Sequence, residues 1–321
     1  VRIGYVGGFR TSWHTETHVA DALEVLGHDV ERIEHSGTSW AELISRASKR
    51  DFDLLMLSPR PVRGTTRGSV EALDKVRAEY VPIVSYHLDI YTGLSRMLDV
   101  GLDPWWKADF VFTADGGTDA RYWERKGIRH RWLCAAIPAD EVYRGEVDDR
   151  FACDVAFVGG VRNYLPEWQY RTDVVNFLQR RYGSSFRIFP TSQGALARRI
   201  HGDDLNRLYA TAKVIVGDSY CPGFTHPRYW SDRIYQTLGR GGVLVHPMIE
   251  GIETQYDPGL DFETYTFGDY IELGQKIDAL LDDPDRGRAM SRRAMEQTIE
   301  RHTYALRMAE LMNVVEREFF R

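Results

Sequence analysis

Asp53-Leu54-Leu55-Met56-Leu57-Ser58 decides the fold. Neighbouring side chains of a strand point to opposite faces, so four consecutive apolar residues make both faces hydrophobic. That is the condition of a parallel sheet covered by helices on either side. Outward from it, strands are expected over Arg2–Val6, Asp29–Ile33, Pro82–Tyr86, Asp109–Thr113 and Arg131–Ala135, with helical stretches between most of them. The clearest helix pattern is Thr17–Leu26, where Val19, Ala22, Leu23 and Leu26 repeat at i, i+3, i+4 and i+7.

The pattern restarts after Pro138. Ala139–Arg150 is charged and short of core residues and reads as an interdomain linker. Strands follow over Asp154–Val158, Phe186–Phe189, Lys213–Val216 and Val243–His246, with helices expected over Glu167–Arg181, Asp203–Ala212 and Tyr229–Leu238. Three more helical stretches, Tyr270–Leu281, Asp285–Glu300 and Tyr304–Phe319, close the chain. The organisation is two doubly wound α/β domains in tandem, residues 1–140 and 151–302, with a last helix over 303–321. In such sheets ligands sit beyond the carboxyl ends of the strands, and two sheets facing across a cleft suit transfer between two bound molecules.

The 321 residues are 43% hydrophobic and 27% charged, enough for sizeable cores and unlike a disordered chain. A net charge of −6 gives no global attraction to nucleic acid or to an anionic membrane. The three cysteines, Cys134, Cys153 and Cys221, are far apart and read as reduced thiols, with no metal-binding spacing. Val1-Arg2-Ile3-Gly4-Tyr5-Val6 reads directly as a strand with no leader pattern, and no apolar run approaches the ~18 residues of a spanning helix. A cytoplasmic protein is expected.

Candidate site residues lie where strands end. Gly7 and Gly8 follow the first strand and let backbone approach a ligand, and His14 follows on the next helix. The full G-x-G-x-x-G fingerprint is absent, which disfavours a dinucleotide. Ser85-Tyr86-His87-Leu88-Asp89 ends the fourth strand, and Asp89 or His87 is a candidate proton acceptor. Asp115-Gly116-Gly117-Thr118 after the fifth strand reads as turn and cap chemistry. In the second domain, Gly159 and Gly160 occupy the phosphate-approach position, with Arg162 just beyond. Gly217-Asp218-Ser219, followed by His226-Pro227-Arg228-Tyr229-Trp230-Ser231-Asp232-Arg233, is a long loop at a strand's end leading to a helix. Arg228 and Arg233 suit a pyrophosphate, with Asp218, Ser219 and Tyr229 around them, although Tyr229 or Trp230 can equally be core.

Arg233-Ile-Tyr-Gln-Thr-Leu-Gly-Arg-Gly-Gly-Val-Leu-Val245, Glu250-Gly-Ile-Glu253, Glu272-Leu273, Asp283-Pro284 and Arg301-His-Thr-Tyr304 with Arg307 resemble, in order and spacing, the C-terminal half of group-1 glycosyltransferases. More narrowly, the chain is similar to their spore-maturation-protein-like branch. Gly7-Gly8 and Gly27-His28-Asp29-Val30 carry the resemblance in the first half. It implies the GT-B fold of two Rossmann-like domains, an acceptor domain and then a donor domain, with the last helix crossing back to the first. It also implies a nucleoside diphosphate sugar as donor substrate and a metal-independent reaction without a further cofactor. The family commonly has a glutamate contacting the donor ribose where this chain has Gln236. Related retaining enzymes have another glutamate eight residues earlier, where this chain has Arg228.

Two rival readings differ in class. One is a sugar- or nucleotide-binding protein without catalysis, suggested by Gln236. The other is transfer to a modified DNA base, suggested by Arg121, Arg125, Lys126, Arg129 and Arg131 near one helix, with Arg198-Arg199. Such runs usually form a solvated face.

Overall fold

The computed structural model describes the chain apart from residues 61, 64–70, 161–169, 190–199 and 220–226 and the single positions 72, 75, 78, 79, 92, 95, 96, 99, 118, 119 and 321. The chain forms two compact units, Val1–Cys134 with Tyr304–Arg321, and Ala135–Thr303.

The first unit runs β1 (Arg2–Gly7), α1 (Thr15–Val25), β2 (Asp29–Glu34), α2 (Trp40–Ser48), β3 (Leu54–Leu57), β4 (Ile83–His87), β5 (Phe110–Thr113), α3 (Ala120–Arg125) and β6 (His130–Trp132). Its strands order as β2-β1-β3-β4-β5-β6, every pair parallel. As its composition requires, β3 is buried along its whole length. Leu55, Leu57, Ile83 and Val111 pack against Trp40, Leu43 and Ala47 of α2 and against Trp106 and Trp123. β4 reaches one residue further than expected, through His87, which draws that ring into the core.

The second unit contains β7 (Val155–Val158), α4 (Tyr170–Tyr182), β8 (Phe186–Phe189), α5 (Asp203–Thr211), β9 (Val214–Val216), α6 (Arg233–Gly239), β10 (Leu244–Pro247), β11 (Glu263–Tyr265), α7 (Tyr270–Asp282) and α8 (Pro284–Arg301). Its parallel sheet orders as β11-β10-β9-β7-β8. Val155, Phe157, Val214, Val216 and Val245 meet Val174 and Leu178 of α4 and Leu273, Ile277 and Leu280 of α7. α6 begins four residues later than its pattern predicts. Arg228 is in the left-handed region at φ +55, and Tyr229 and Trp230 are buried ahead of the helix.

Ala139–Arg150, which composition presents as a linker, is fastened into this second unit. Arg144 donates to the carbonyls of Gly241 (2.7 Å) and Ala210 (2.8 Å), and Glu141 pairs with the buried Arg240. The stretch is held by charge and backbone hydrogen bonds, and its Tyr143 and Val147 are exposed.

The last helix, α9 (Tyr304–Phe319), belongs to the first unit. Its buried residues Met308, Leu311, Met312 and Val315 form one apolar stripe. Tyr304 stacks on His18 of α1 at 6.2 Å. Glu318 pairs with Arg129 at 2.6 Å and Glu310 with Arg131 at 2.8 Å. Two members of the basic run are thus neutralised within their own unit, while Arg198 and Arg199 lie outside the described residues. Among the described residues, no helix is long and apolar enough to cross a membrane.

Candidate functional site

In an open α/β sheet, the ligand crevice opens where successive connections leave in opposite directions. In the second unit this point lies between β7 and β9, because β8 is on one side of β7 and β9 on the other. Gly159-Gly160 and Gly217-Asp218-Ser219 are the residues that leave those two strands.

Gly159 has φ +147, a conformation that disfavours any side chain, and a Cβ there would lie 2.8 Å from Nη2 of Arg233. Arg233 therefore lies across bare backbone. Its Nη1 meets Oδ1 of Asp218 at 3.3 Å. The other oxygen of Asp218, Oδ2, accepts from Nε of Arg171 at 2.7 Å, and Nη1 of Arg171 donates to the carbonyl of Gly160 at 2.9 Å. Both guanidinium groups sit over the Phe157 ring, at 5.8 and 6.0 Å. Asp218 is 5% exposed, so its charge is compensated by these arginines rather than by water.

Ser219 is ordered by a histidine the sequence reading did not single out. The imidazole of His246, at the end of β10, packs so closely on Gly217 that a Cβ there would lie 2.6 Å from Cδ2. Nδ1 is 2.8 Å from the carbonyl of Pro247 and must carry the proton to bond it, so Nε2 accepts from the Ser219 hydroxyl at 3.1 Å. Ser219 Oγ in turn accepts from the Ser231 amide at 3.1 Å, tying the loop to the sheet edge. Burial, first of all, lowers the His246 pKa to about 4, which keeps the ring neutral near neutral pH.

The amide of Arg228 donates to the carbonyl of Glu250 at 2.7 Å, and its side chain passes against Gly251. Tyr229, one of the expected donor contacts, is 3% exposed: the ring is part of the core, the alternative the sequence allowed. Gln236 is half-buried and its Oε1 accepts from Arg240. Arg240 is also held by Asn206 at 2.8 Å and by Glu141. Arg162 and His226 lie outside the described residues.

In the first unit the corresponding point lies between β1 and β3. A Cβ on Gly7 would lie 2.9 Å from Cγ of Glu16, so glycine is what lets the first turn of α1 close on the strand end. His14 precedes that helix with Nδ1 3.0 Å from the Gly8 carbonyl. Glu16 is buried and pairs with Arg60 at 2.7 Å, a pair the sequence reading missed. The Glu16 hydrogen bond and, more weakly, the nearby Asp89 raise the Arg60 pKa.

Asp89 is exposed. His87, its rival as proton acceptor, has no exposed surface; it packs on Trp106 at 4.2 Å and pairs through Nε2 with Ser85 at 3.0 Å. Burial lowers its pKa to about 3, so His87 is a core residue and Asp89 is the accessible one of the two. Asp115 accepts from the amides of Tyr91 (2.7 Å) and Gly117 (3.3 Å), turn chemistry as read from the sequence. Among the described residues no group of three or more His, Cys, Asp or Glu is arranged to hold a metal.

The family model described as Glycosyl transferase-like matches residues 156–313, the stretch that holds the β7–β9 edge. Among solved structures, an alpha-glucosyltransferase in complex with UDP-glucose and DNA containing an abasic site is similar at 10% identity and a TM-score of 0.69, over 98% of both chains. Sucrose-phosphate synthase from Thermosynechococcus elongatus is similar at 12% identity and 0.65, over 98% of both chains. Anabaena HepE in complex with UDP and glucose is similar at 11% identity and 0.63, over 98% of this chain and 99% of that one. No curated protein matches the sequence. Tandem parallel sheets and the full-length structural likeness give the chain the GT-B fold, and residues 156–313 match the glycosyl transferase-like family.

Proposed function

We propose that the second unit binds a nucleoside diphosphate sugar, with uridine diphosphate as the carrier, and that the first unit presents an acceptor hydroxyl. Support for the carrier comes from the similar structures that hold UDP or UDP-glucose. The observation that carries the site is Arg233 laid across the side-chain-free Gly159 at the switch point, where a diphosphate approaches backbone and cation together. In this reading Arg233, Arg228 and Arg162 balance the diphosphate, backbone at Gly159, Gly160 and Ser219 hydrogen-bonds it, and the Gln236 amide donates to the ribose. The first unit offers Gly7, Gly8 and His14 to the acceptor. The C1–O bond to phosphate breaks, the C1–O bond to the acceptor forms, and the diphosphate leaves with charge stabilised by arginine. In an inverting reaction the acceptor's proton passes to Asp89; in a retaining one it passes to the leaving phosphate.

The free thiol of Cys153 supports a reducing compartment, the cytoplasm. The pairing of Arg129 and Arg131 with Glu318 and Glu310 weighs against a nucleic-acid acceptor. A thermal-shift series with UDP, GDP, ADP and their sugars tests the reading. A carrier at about 100 times its Kd stabilises the fold by about 2.7 kcal/mol. The matching sugar nucleotide is expected to be hydrolysed slowly without acceptor. If no nucleoside diphosphate raises the melting temperature at millimolar concentration, the assignment fails.

A further inference from the structure

We propose that Arg171 is a positioning residue for the donor: it neutralises the buried Asp218 carboxylate and thereby keeps the charge of Arg233 available to the diphosphate. The inference rests on the reading that this edge takes a nucleoside diphosphate.

Asp218 leaves β9 directly into a buried position, where an uncompensated carboxylate is costly. Two cations face it, and they are not equivalent. Arg171, from α4, is 8% exposed and fixed at two points, by Asp218 at 2.7 Å and by the Gly160 carbonyl at 2.9 Å. Arg233 meets the same carboxylate at 3.3 Å, longer than the usual ~2.7–2.9 Å of a charge-assisted bond. The Arg233 side chain is 21% exposed. The tighter, deeper arginine holds the carboxylate, and the looser one keeps donors to spare. Among the described residues these two guanidinium groups meet the carboxylate, and the one with exposed surface is Arg233. Without Arg171 the count is one to one. Asp218 then draws Arg233 into a closed pair and away from Gly159, and a diphosphate meets a neutral ion pair.

The test is a charge cycle read by UDP affinity from calorimetry and by the donor KM and kcat. Arg171→Met is expected to weaken UDP binding about tenfold or more. The double variant Arg171→Met with Asp218→Asn is expected to recover most of that loss, because no carboxylate is left to capture Arg233. A residue that only supports the fold gives no recovery. A double variant as weak as the single, or an Arg171→Met protein that binds UDP like the wild type, overturns the proposal. If Arg171→Met does not fold, Arg171→Lys replaces it, keeping the charge beside Asp218 while losing the fork to Gly160. It is expected to bind UDP within a few-fold of wild type, and loss as complete as in Arg233→Ala overturns the proposal. Wild-type protein that binds no nucleoside diphosphate removes the donor reading and this inference together. Wild-type binding with the variants in the wrong order removes the Arg171 role alone.

Discussion

Gly159→Ala is the substitution that probes the donor edge most directly. At φ +147 an alanine is held in a conformation sparsely populated by L residues, which costs about 1–3 kcal/mol. Its Cβ also lies 2.8 Å from Nη2 and 3.0 Å from Cζ of Arg233, so the guanidinium must move. That motion takes it off Asp218, a loose 3.3 Å contact worth about 0.5–1.5 kcal/mol. The two terms together predict a loss of roughly 1.5–4.5 kcal/mol, or roughly 3–18 °C in melting temperature for a domain of this size. UDP affinity should fall with it, because Arg233 no longer lies over the backbone where the diphosphate approaches. Gly183→Ala separates the terms. Gly183 has φ +53 with nothing within 4 Å of an added Cβ, so it reports backbone strain alone, about 1–2 kcal/mol, with donor affinity unchanged. Calorimetric melting and UDP titration of both variants decide the matter. A Gly159→Ala protein that melts within a degree of wild type and binds UDP equally well refutes the argument.

Further expectations concern charge buried elsewhere. Glu141→Ala strips the 2%-exposed Arg240 of its carboxylate and should cost about 3 kcal/mol in chemical denaturation, whereas a true linker residue would cost almost nothing. Stability should also fall with pH below about 6.5. Burial holds His87 and His246 near 3 and 4, so the unfolded chain takes up protons that the folded chain refuses until those values are reached. For His246 the full loss is roughly 3 kcal/mol at 1.36 kcal/mol per pKa unit. Denaturation of wild type, His87→Gln and His246→Gln between pH 7.5 and 5 should show a shallower slope in each variant, and equal slopes would contradict this sign.

The architecture was legible because a strand buried on both faces has no other home: Leu54-Leu55-Met56-Leu57 alone demands helices above and below. The glycines and acids at the strand ends were legible for a similar reason, since the carboxyl edge is fixed once the strands are. What sequence could not show is which way a side chain turns at that edge. His87 and Asp89 are two residues apart, yet one extra residue of β4 puts the imidazole against Trp106 and leaves the carboxylate in solvent. Arg171 gave a signal that went unread. It falls on the buried stripe of its helix with Val174, Val175 and Leu178 at i+3, i+4 and i+7, where an arginine needs a partner, and only the fold shows that the partner is Asp218. His246 gave a faint signal, a titratable residue at the end of an apolar strand, of the same kind as His87.

The two switch points also differ in the sign of the charge they gather, and this difference carries a division of labour. Among the described residues, Arg171 and Arg233 outnumber Asp218 at the β7–β9 edge, and the surplus of these groups is positive. At the β1–β3 edge, Glu16 and Asp89 outnumber Arg60, and the surplus is negative, with Glu16 buried and Asp89 open. A leaving diphosphate needs the first kind of edge, because negative charge builds on its oxygens as the sugar departs. An attacking hydroxyl needs the second kind, where a carboxylate left over from ion pairing can take its proton. Neither surplus follows from composition, since the chain as a whole is acidic. Each arises because an ion pair fixes one charge and leaves its neighbour uncancelled, so in the proposed reading Arg171 and Glu16, set back from substrate, set the polarity of the groups that meet it.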